Sequence, residues 1–221
     1  MCNVIVVRVT GGKFINYSYI IYDDNGVGIL LDPAWEREKI INIIKENDIE
    51  IKAVFITHEH QDHTNLAEYM AIYYNIPIYS SKEVQCMFTV DNENLIVIES
   101  ENQITINKLT VKPFFTPGHT SGGISYLING NLFSGDTLFI EGCGMYEDKN
   151  SDPIQLFKSL RRFAEDIPLV TNIYPGHRYH AKVGQPFSYV LDNNIYLNIL
   201  AEQDFVNFRM RRKQKEWLDF I

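Results

Sequence analysis

Residues 58 to 63 read His-Glu-His-Gln-Asp-His, and they follow directly on Ile51 to Ile56, a short branched apolar run of the kind that forms a buried strand. A strand that ends by releasing three histidines and an aspartate within six residues has to deliver them to a common place. That favours an architecture in which strand ends gather along one rim and the loops there carry the polar side chains. The same arrangement recurs downstream. His119 lies in Thr116-Pro117-Gly118-His119-Thr120 after Leu109 to Phe115, and Asp136 in Ser134-Gly135-Asp136-Thr137 after Asn131 to Phe133. His177 lies in Tyr174-Pro175-Gly176-His177 after Thr171 to Tyr174. Five of the six histidines are used in this way, and only His180 is left over. Any one of them alone reads as a structural histidine; together, at these junctions, they read as a metal site.

Imidazole and carboxylate donors without a thiolate suit zinc, iron or manganese. His58 and His60 can turn to one ion with His119 as the third nitrogen, while Asp62, His63 and His177 can hold a second. Asp136, with two carboxylate oxygens, is the natural bridge. The expected cofactor is a pair of divalent ions, zinc first with iron or manganese as alternatives, and Asp62 and Asp136 are the candidate catalytic carboxylates. Ions roughly 3.5–4 Å apart can share a hydroxide and stabilise developing negative charge. Metal lowers the pKa of water from roughly 15.7 to about 7, so attack of a metal-bound hydroxide on a carbonyl needs no separate strong base. A thiolate leaving group, whose parent thiol has a pKa of roughly 8.5, needs less help from an acid than an amine does. Such a site suits thioesters.

The rest of the chain predicts alternating strands and helices. Val4 to Val9 and Phe14 to Tyr22 are β-branched and aromatic runs around Gly11-Gly12, a hairpin signal, and Val27 to Leu31 is a third strand ending at Asp32-Pro33. Ile40, Ile41, Ile43 and Ile44 recur at helical spacing between Glu36 and Asn47, and a second helix is expected over Thr64 to Tyr74 with Thr64 or its neighbours as its cap. Short strands and a short helix lead on to Leu109. Ile124 to Ile128 and Asn131 to Phe133 form a hairpin about Asn129-Gly130, and Asp152-Pro153 opens a helix to about Glu165. Two halves of strands followed by a helix give a four-layer αββα sandwich, an α/β fold with the helices outside. Residues 1–184 are expected to form the catalytic domain and 185–221 a short C-terminal helical extension of two helices packed on it.

A net charge of −8 argues against a nucleic-acid-binding face, which needs dense lysine and arginine. Cys2, Cys86 and Cys143 are an odd number without finger spacing and fit reduced thiols in a cytoplasm. Met1 to Thr10 reads as a strand, not a signal peptide, and no apolar run reaches the roughly 20 residues of a membrane span. A cytoplasmic, soluble protein is expected.

The His-x-His-x-Asp-His run with its single later His, Asp and His resembles the metallo-β-lactamase superfamily over roughly residues 3 to 180. The resemblance implies the αββα sandwich, with His58, His60 and His119 on one metal, Asp62, His63 and His177 on the other and Asp136 between them. Within that superfamily, Ser134 to Phe139 followed by Gly142-Cys143-Gly144 looks like glyoxalase II, although Met145 stands where many of those enzymes carry a basic residue. In that setting Cys143 is a packing residue of the loop. A closer likeness is to the glyoxalase II-like hydrolases found with trans-acyltransferase polyketide synthases, which share Gly142-Cys143-Gly144-Met145, Tyr174-Pro175-Gly176-His177 and a tail like Asn207-Phe208-Arg209-Met210. That family implies removal of acyl groups from the phosphopantetheine arm of acyl carrier proteins.

Met145, Tyr146, Arg178, Tyr179 and His180 are the candidate substrate contacts, and the basic cluster Arg209, Arg211, Arg212, Lys213 and Lys215 could meet an acidic carrier protein or the phosphate of its arm. The competing reading of that cluster is a solvated helix face. Alternatives to the carrier-protein thioesterase are hydroxyacylglutathione hydrolysis and a mono-iron persulfide dioxygenase. Flavodiiron chemistry fits less well because His60 is retained. A nuclease lacks basic arms, a lactonase is chemically near, and a metal-stabilised binding protein would be the non-catalytic reading.

Overall fold

The β-branched start of the chain forms the expected hairpin, because Gly12-Lys13 can turn tightly between two strands that each have a face to bury. The computed structural model describes residues 2–89, 94–146 and 150–211, in two units, Met1–Pro113 and Phe114–Ile221. In the first unit β1 (Cys2–Gly11) pairs antiparallel with β2 (Phe14–Asp23), from Cys2 opposite Asp23 to Gly11 opposite Phe14. β3 (Val27–Leu31) is antiparallel to β2 and parallel to β4 (Glu50–Phe55). A central, partly parallel strand is covered on both faces, which is why Gly28-Ile29-Leu30-Leu31 is buried without alternation. The parallel step needs a crossover, and α1 (Arg37–Glu46) supplies it with Ile40, Ile41 and Ile44 buried on one stripe. β5 (Ile78–Ser80) and β6 (Leu95–Val97) complete a sheet of order β1-β2-β3-β4-β5-β6.

One expectation fails just past β4. Thr64 does not cap the next helix; it closes α2 (Gln61–Thr64), a single turn whose N-terminal flank is His60. Its hydroxyl donates back to the His60 carbonyl at 3.1 Å, and α3 (Ala67–Tyr74) starts after Leu66 with no side-chain cap. The metal-capable run therefore leaves a strand and wraps straight into a turn of helix. That turn puts Asp62 and His63 side by side.

β7 (Ile104–Ile106) and β8 (Leu109–Phe115) are antiparallel, and the chain passes between the units within β8. The second unit holds β9 (Ile124–Ile128), β10 (Asn131–Gly135), β11 (Asn172–Pro175) and β12 (Gln185–Pro186), in a sheet of order β12-β11-β10-β9-β8-β7. Asn129 and Gly130 both sit at positive φ, 46° and 84°, as a two-residue hairpin turn demands. β10 and β11 are parallel with a register shift between Phe133 and Gly135, a bulge that re-aims the chain immediately before Asp136.

α5 (Pro153–Asp166) begins at Asp152, whose carboxylate accepts from Ile154 N at 2.8 Å and Gln155 N at 3.2 Å. Among its described residues the tail holds three short helices where two were expected: α6 (Phe187–Asn193), α7 (Ile195–Asn198) and α8 (Glu202–Arg209). Asn194 makes the break. Its amide donates to the carbonyls of Phe139 and Gly142, at 2.9 and 2.8 Å, and its oxygen caps Tyr196 N at 3.0 Å, which draws the backbone out of the helix. Residues 212–221 of the expected tail lie outside the described residues. Phe187, Val190, Leu197 and Phe205 from the tail share one core with Leu156, Leu160 and Phe163 of α5. Each side chain of that size stabilises by roughly 1.5–3 kcal/mol when buried. Among the described residues no helix is long and apolar enough to cross a membrane.

Candidate metal centre

In the first unit the donors are fixed from behind. Asp32, 2 % exposed at the end of β3, accepts from the Thr57 backbone N–H at 2.8 Å, the Thr57 hydroxyl at 2.6 Å and His63 Nδ1 at 3.0 Å. A carboxylate only accepts, so Nδ1 of His63 carries the proton and Nε2 is left with its lone pair. The Thr57 hydroxyl spends its hydrogen on Asp32, so its oxygen accepts from His58 Nδ1 at 2.9 Å, and His58 too presents Nε2. The rings of His58 and His60 are 4.9 Å apart and those of His58 and His63 4.2 Å. One donor atom each of Asp32, His58 and His63 falls within 4.8 Å of the others. Because three hydrogen bonds already engage the Asp32 oxygens, we assign it to orientation rather than ligation. Asp62 Oδ2 stands 3.8 Å from His63 Nε2.

The second unit arranges its own donors similarly. His119 Nδ1 donates to the Met145 carbonyl at 2.8 Å, which again puts the lone pair on Nε2. The loop carrying it is pinned to the start of α5: Asp152 N donates to Gly118 O at 2.7 Å, Ser151 Oγ to His119 O at 2.8 Å and Ser159 Oγ to Pro117 O at 2.7 Å. Gly118 has φ +140°, and a Cβ there would stand 2.2 Å from the backbone of Leu156, so only glycine lets the loop lie down. Gly144 is equally constrained, since its Cβ would come within 2.1 Å of Asp136 O and 2.6 Å of the His119 ring.

Asp136 Oδ2 is 3.6 Å from His119 Nε2 and 3.4 Å from His177 Nε2. These are longer than hydrogen bonds. Two ligands bonded at roughly 2.0–2.1 Å to one tetrahedral zinc stand about 3.3–3.4 Å apart, so the spacing is that of groups meant to share a cation. The donors of the first unit, His58, His60, Asp62 and His63, and those of the second, His119, Asp136 and His177, are in each unit imidazole nitrogens and carboxylate oxygens, which fit divalent ions such as zinc.

A cavity of about 310 Å³ opens in the second unit, lined among others by Met145, Tyr179, His180, Tyr196, Arg209 and Arg211. Three expected substrate contacts, Met145, Tyr179 and His180, face it; Tyr146 is exposed and Arg178 half-buried, and neither lines it. Burial pushes the Tyr179 phenol well above its ordinary pKa, so it stays a protonated donor. The expected basic cluster does not form as a single solvated face. Arg209 is 4 % exposed and donates to Tyr196 Oη at 3.0 Å and Cys143 O at 3.5 Å, because α8 turns this side chain into the core. Arg211 is exposed, stacked 3.9 Å over the Phe208 ring and donating to Tyr196 Oη at 3.2 Å. Arg212, Lys213 and Lys215 lie outside the described residues.

A family model for the metallo-β-lactamase superfamily matches residues 11–177, a span that includes every donor named above. The chain belongs to that superfamily. The probable polyketide biosynthesis zinc-dependent hydrolase BaeB of Bacillus velezensis is 39% identical over 93% of this chain and 92% of its own length. The corresponding protein PksB of Bacillus subtilis is 37% identical over the same shares, 93% and 92%. A hydroxyacylglutathione hydrolase of Tolumonas auensis is 33% identical over 74% of this chain but only 62% of its own. Among solved structures, ETHE1 from Myxococcus xanthus superposes with a TM-score of 0.80 at 25% identity, covering 94% of this chain and 92% of that one. The expected metallo-β-lactamase fold, an α/β sandwich with two mixed sheets, therefore stands.

Cys143 is buried, and burial pushes its thiol pKa up to about 11 against the pull of Arg209. A thiol so disposed is no nucleophile at neutral pH. Cys143→Ala is expected to leave kcat within about threefold of the parent. Iodoacetamide at pH 8 should label exposed Cys86 before Cys143 in a peptide-mapping time course. Rapid labelling of Cys143 coupled to loss of activity would contradict this.

Proposed function

We propose that this member of the superfamily is a zinc-dependent hydrolase of polyketide biosynthesis that cleaves thioesters, with acyl groups on the phosphopantetheine arm of a carrier protein as its substrates. The two donor sets would act as one dinuclear centre, with His58, His60 and His119 on one ion, Asp62, His63 and His177 on the other and Asp136 shared. The support is membership in the family, whose model spans both sets, and the near full-length likeness to zinc-dependent polyketide hydrolases. Divalent ions held there supply an acidified water and a Lewis acid for the thioester carbonyl.

The observation that carries the substrate class is the cavity behind Met145. The Met145 carbonyl orients His119, and the Met145 side chain forms part of the cavity wall. A thiol tail lying in the cavity would run along Met145, whose carbonyl holds the His119 ring from behind. Arg209 and Arg211 converge on Tyr196 Oη at the same cavity, and the exposed Arg211 would offer a phosphate or carboxylate a charge-assisted donor. Tyr179 contributes a phenol that remains protonated. Neutral Met145 leaves the wall less cationic than a lysine or arginine there would.

The test gives one enzyme sample an acyl group on a carrier protein and S-lactoylglutathione, and follows both by mass spectrometry. Faster loss of the carrier-bound acyl group is expected. Arg211→Glu should raise KM for the carrier-bound substrate by about tenfold with kcat nearly unchanged, the signature of lost uniform binding. Preference for the glutathione ester would move the protein to hydroxyacylglutathione hydrolysis, and an unchanged KM would remove Arg211 from substrate binding.

A further inference from the structure

Trp35 occupies a conformation that a bulky residue rarely adopts, with φ +59°, and the first unit is built to keep it there. Its ring lies over Gly11, where a Cβ would come within 2.1 Å of Trp35 Cδ2, and it stacks on Phe14 with centroids 6.1 Å apart. Its backbone N–H donates to Asn65 Oδ1 at 2.8 Å, and Asn65 Nδ2 donates to Gln61 O at 2.7 Å. Its indole Nε1 donates to Asn16 Oδ1 at 3.1 Å. Asn16, 1 % exposed in the middle of β2, turns its Nδ2 to Asp62 Oδ2 at 2.7 Å and to His63 Nε2 at 3.3 Å. Trp35 therefore reaches α2 twice, once through Asn65 to the residue before Asp62 and once through Asn16 to Asp62 and His63 themselves.

We propose that Trp35 is a positioning residue for the Asp62–His63 half of the metal centre, acting through the amide of Asn16. An amide side chain can face either way, and what selects the face is its partner. The indole N–H is a donor only, so it holds the oxygen of Asn16 toward itself and the NH₂ toward the carboxylate, which only accepts. A reversed amide would set oxygen against Asp62 and NH₂ against the indole N–H, two repulsive contacts in a buried place. The fixed amide thereby sets the direction of the Asp62 carboxylate and the side from which His63 Nε2 is approached. An outer-shell partner of this kind governs how tightly the ion is held.

The inference rests on the two-ion reading, and the experiment separates the two. Wild type and Trp35→Phe, which keeps a stacking ring and loses the donor, are stripped of metal and titrated with zinc against a chromophoric chelator. The apo Tm of each is read alongside. The expected result is an unchanged first affinity, a second affinity weakened about 10- to 100-fold, and an apo Tm close to that of wild type. A second affinity equal to that of wild type overturns the proposal, as does an equal weakening of both sites with a lowered Tm, which would mark a purely structural tryptophan. If wild type itself takes up one ion, the two-ion reading fails instead. Should Trp35→Phe give no folded protein, Asn16→Leu is titrated in its place, with the same selective loss expected and two wild-type affinities overturning the proposal.

Discussion

Asp136→Ala is expected to lower kcat for thioester hydrolysis by about 10³-fold or more, at saturating substrate and excess zinc, while the apo protein keeps its fold. The argument starts at the bulge between Phe133 and Gly135, which releases the chain so that Asp136 Oδ2 stands 3.4–3.6 Å from two imidazole nitrogens. Those distances are too long for Asp136 to be held chiefly by hydrogen bonds from His119 and His177. The loop that carries it is also held by backbone bonds the substitution leaves in place, Thr137 N to Ser134 O at 3.0 Å and Gly176 N to Gly135 O at 2.9 Å, so the apo protein should still fold, as read by calorimetry. On the two-ion reading the same removal leaves each ion short of a ligand and removes the group that keeps the ions together. Zinc content measured by elemental analysis should fall below two per chain in parallel with kcat. Asp136→Asn, which keeps the shape and loses the charge, should lie between. Full activity in Asp136→Ala with two ions bound would dismiss the shared-carboxylate role.

The donors were legible in the sequence because each follows closely on a strand whose pattern is strong: branched Ile51 to Ile56, Leu109 to Phe115, the Asn129-Gly130 hairpin. Strand ends are local signals, and the His and Asp types declare their chemistry. The groups that orient those donors were not legible. Asp32 reads as the stop of β3 before a proline, and nothing local ties it to Thr57 or His63, 25 and 31 residues away. Asn16 is lost inside Phe14 to Tyr22, and its partner Asp62 is 46 residues on. Long-range hydrogen bonds leave no period in the chain. The one weak signal is that Asn16, with Ser18 two residues on, interrupts a run otherwise made of Phe, Ile and Tyr.

The tail misled for the opposite reason, because its local signals are plain but incomplete. Five cations between Arg209 and Lys215 look like one charged face. Yet helical geometry and the pull of Phe205 into the core carry Arg209 inward, where Tyr196 takes its guanidinium. Asn194 likewise looks like an ordinary helical residue until the carbonyls of Phe139 and Gly142, more than 50 residues upstream, engage its amide.

Asp32→Ala is expected to act on stability and on metal together, which distinguishes it from the substitution at Asp136. Three donors of buried groups, Thr57 N, Thr57 Oγ1 and His63 Nδ1, lose their acceptor at once. Each buried group left unsatisfied costs about 1–3 kcal/mol, and because the hydroxyl and the imidazole can turn to other partners the sum should settle near about 3 kcal/mol. For a chain of this size that is a fall in apo Tm of roughly 6–12 °C by calorimetry. The tautomers relax as well. Without an obligate acceptor, His63 can carry its proton on either nitrogen, and the Thr57 hydroxyl can donate to His58 Nδ1 instead of accepting from it, which would put the proton of His58 on the ligating nitrogen. Zinc affinity should drop about 10- to 100-fold in consequence. Asp32→Asn separates the contributions, since its single carbonyl can still accept from Thr57 while its NH₂ opposes one of the three donors; part of the Tm should return and less of the affinity. An apo Tm unchanged in Asp32→Ala would mean that the network behind His58 and His63 is already satisfied by other groups, and the orienting role would pass from Asp32 to them.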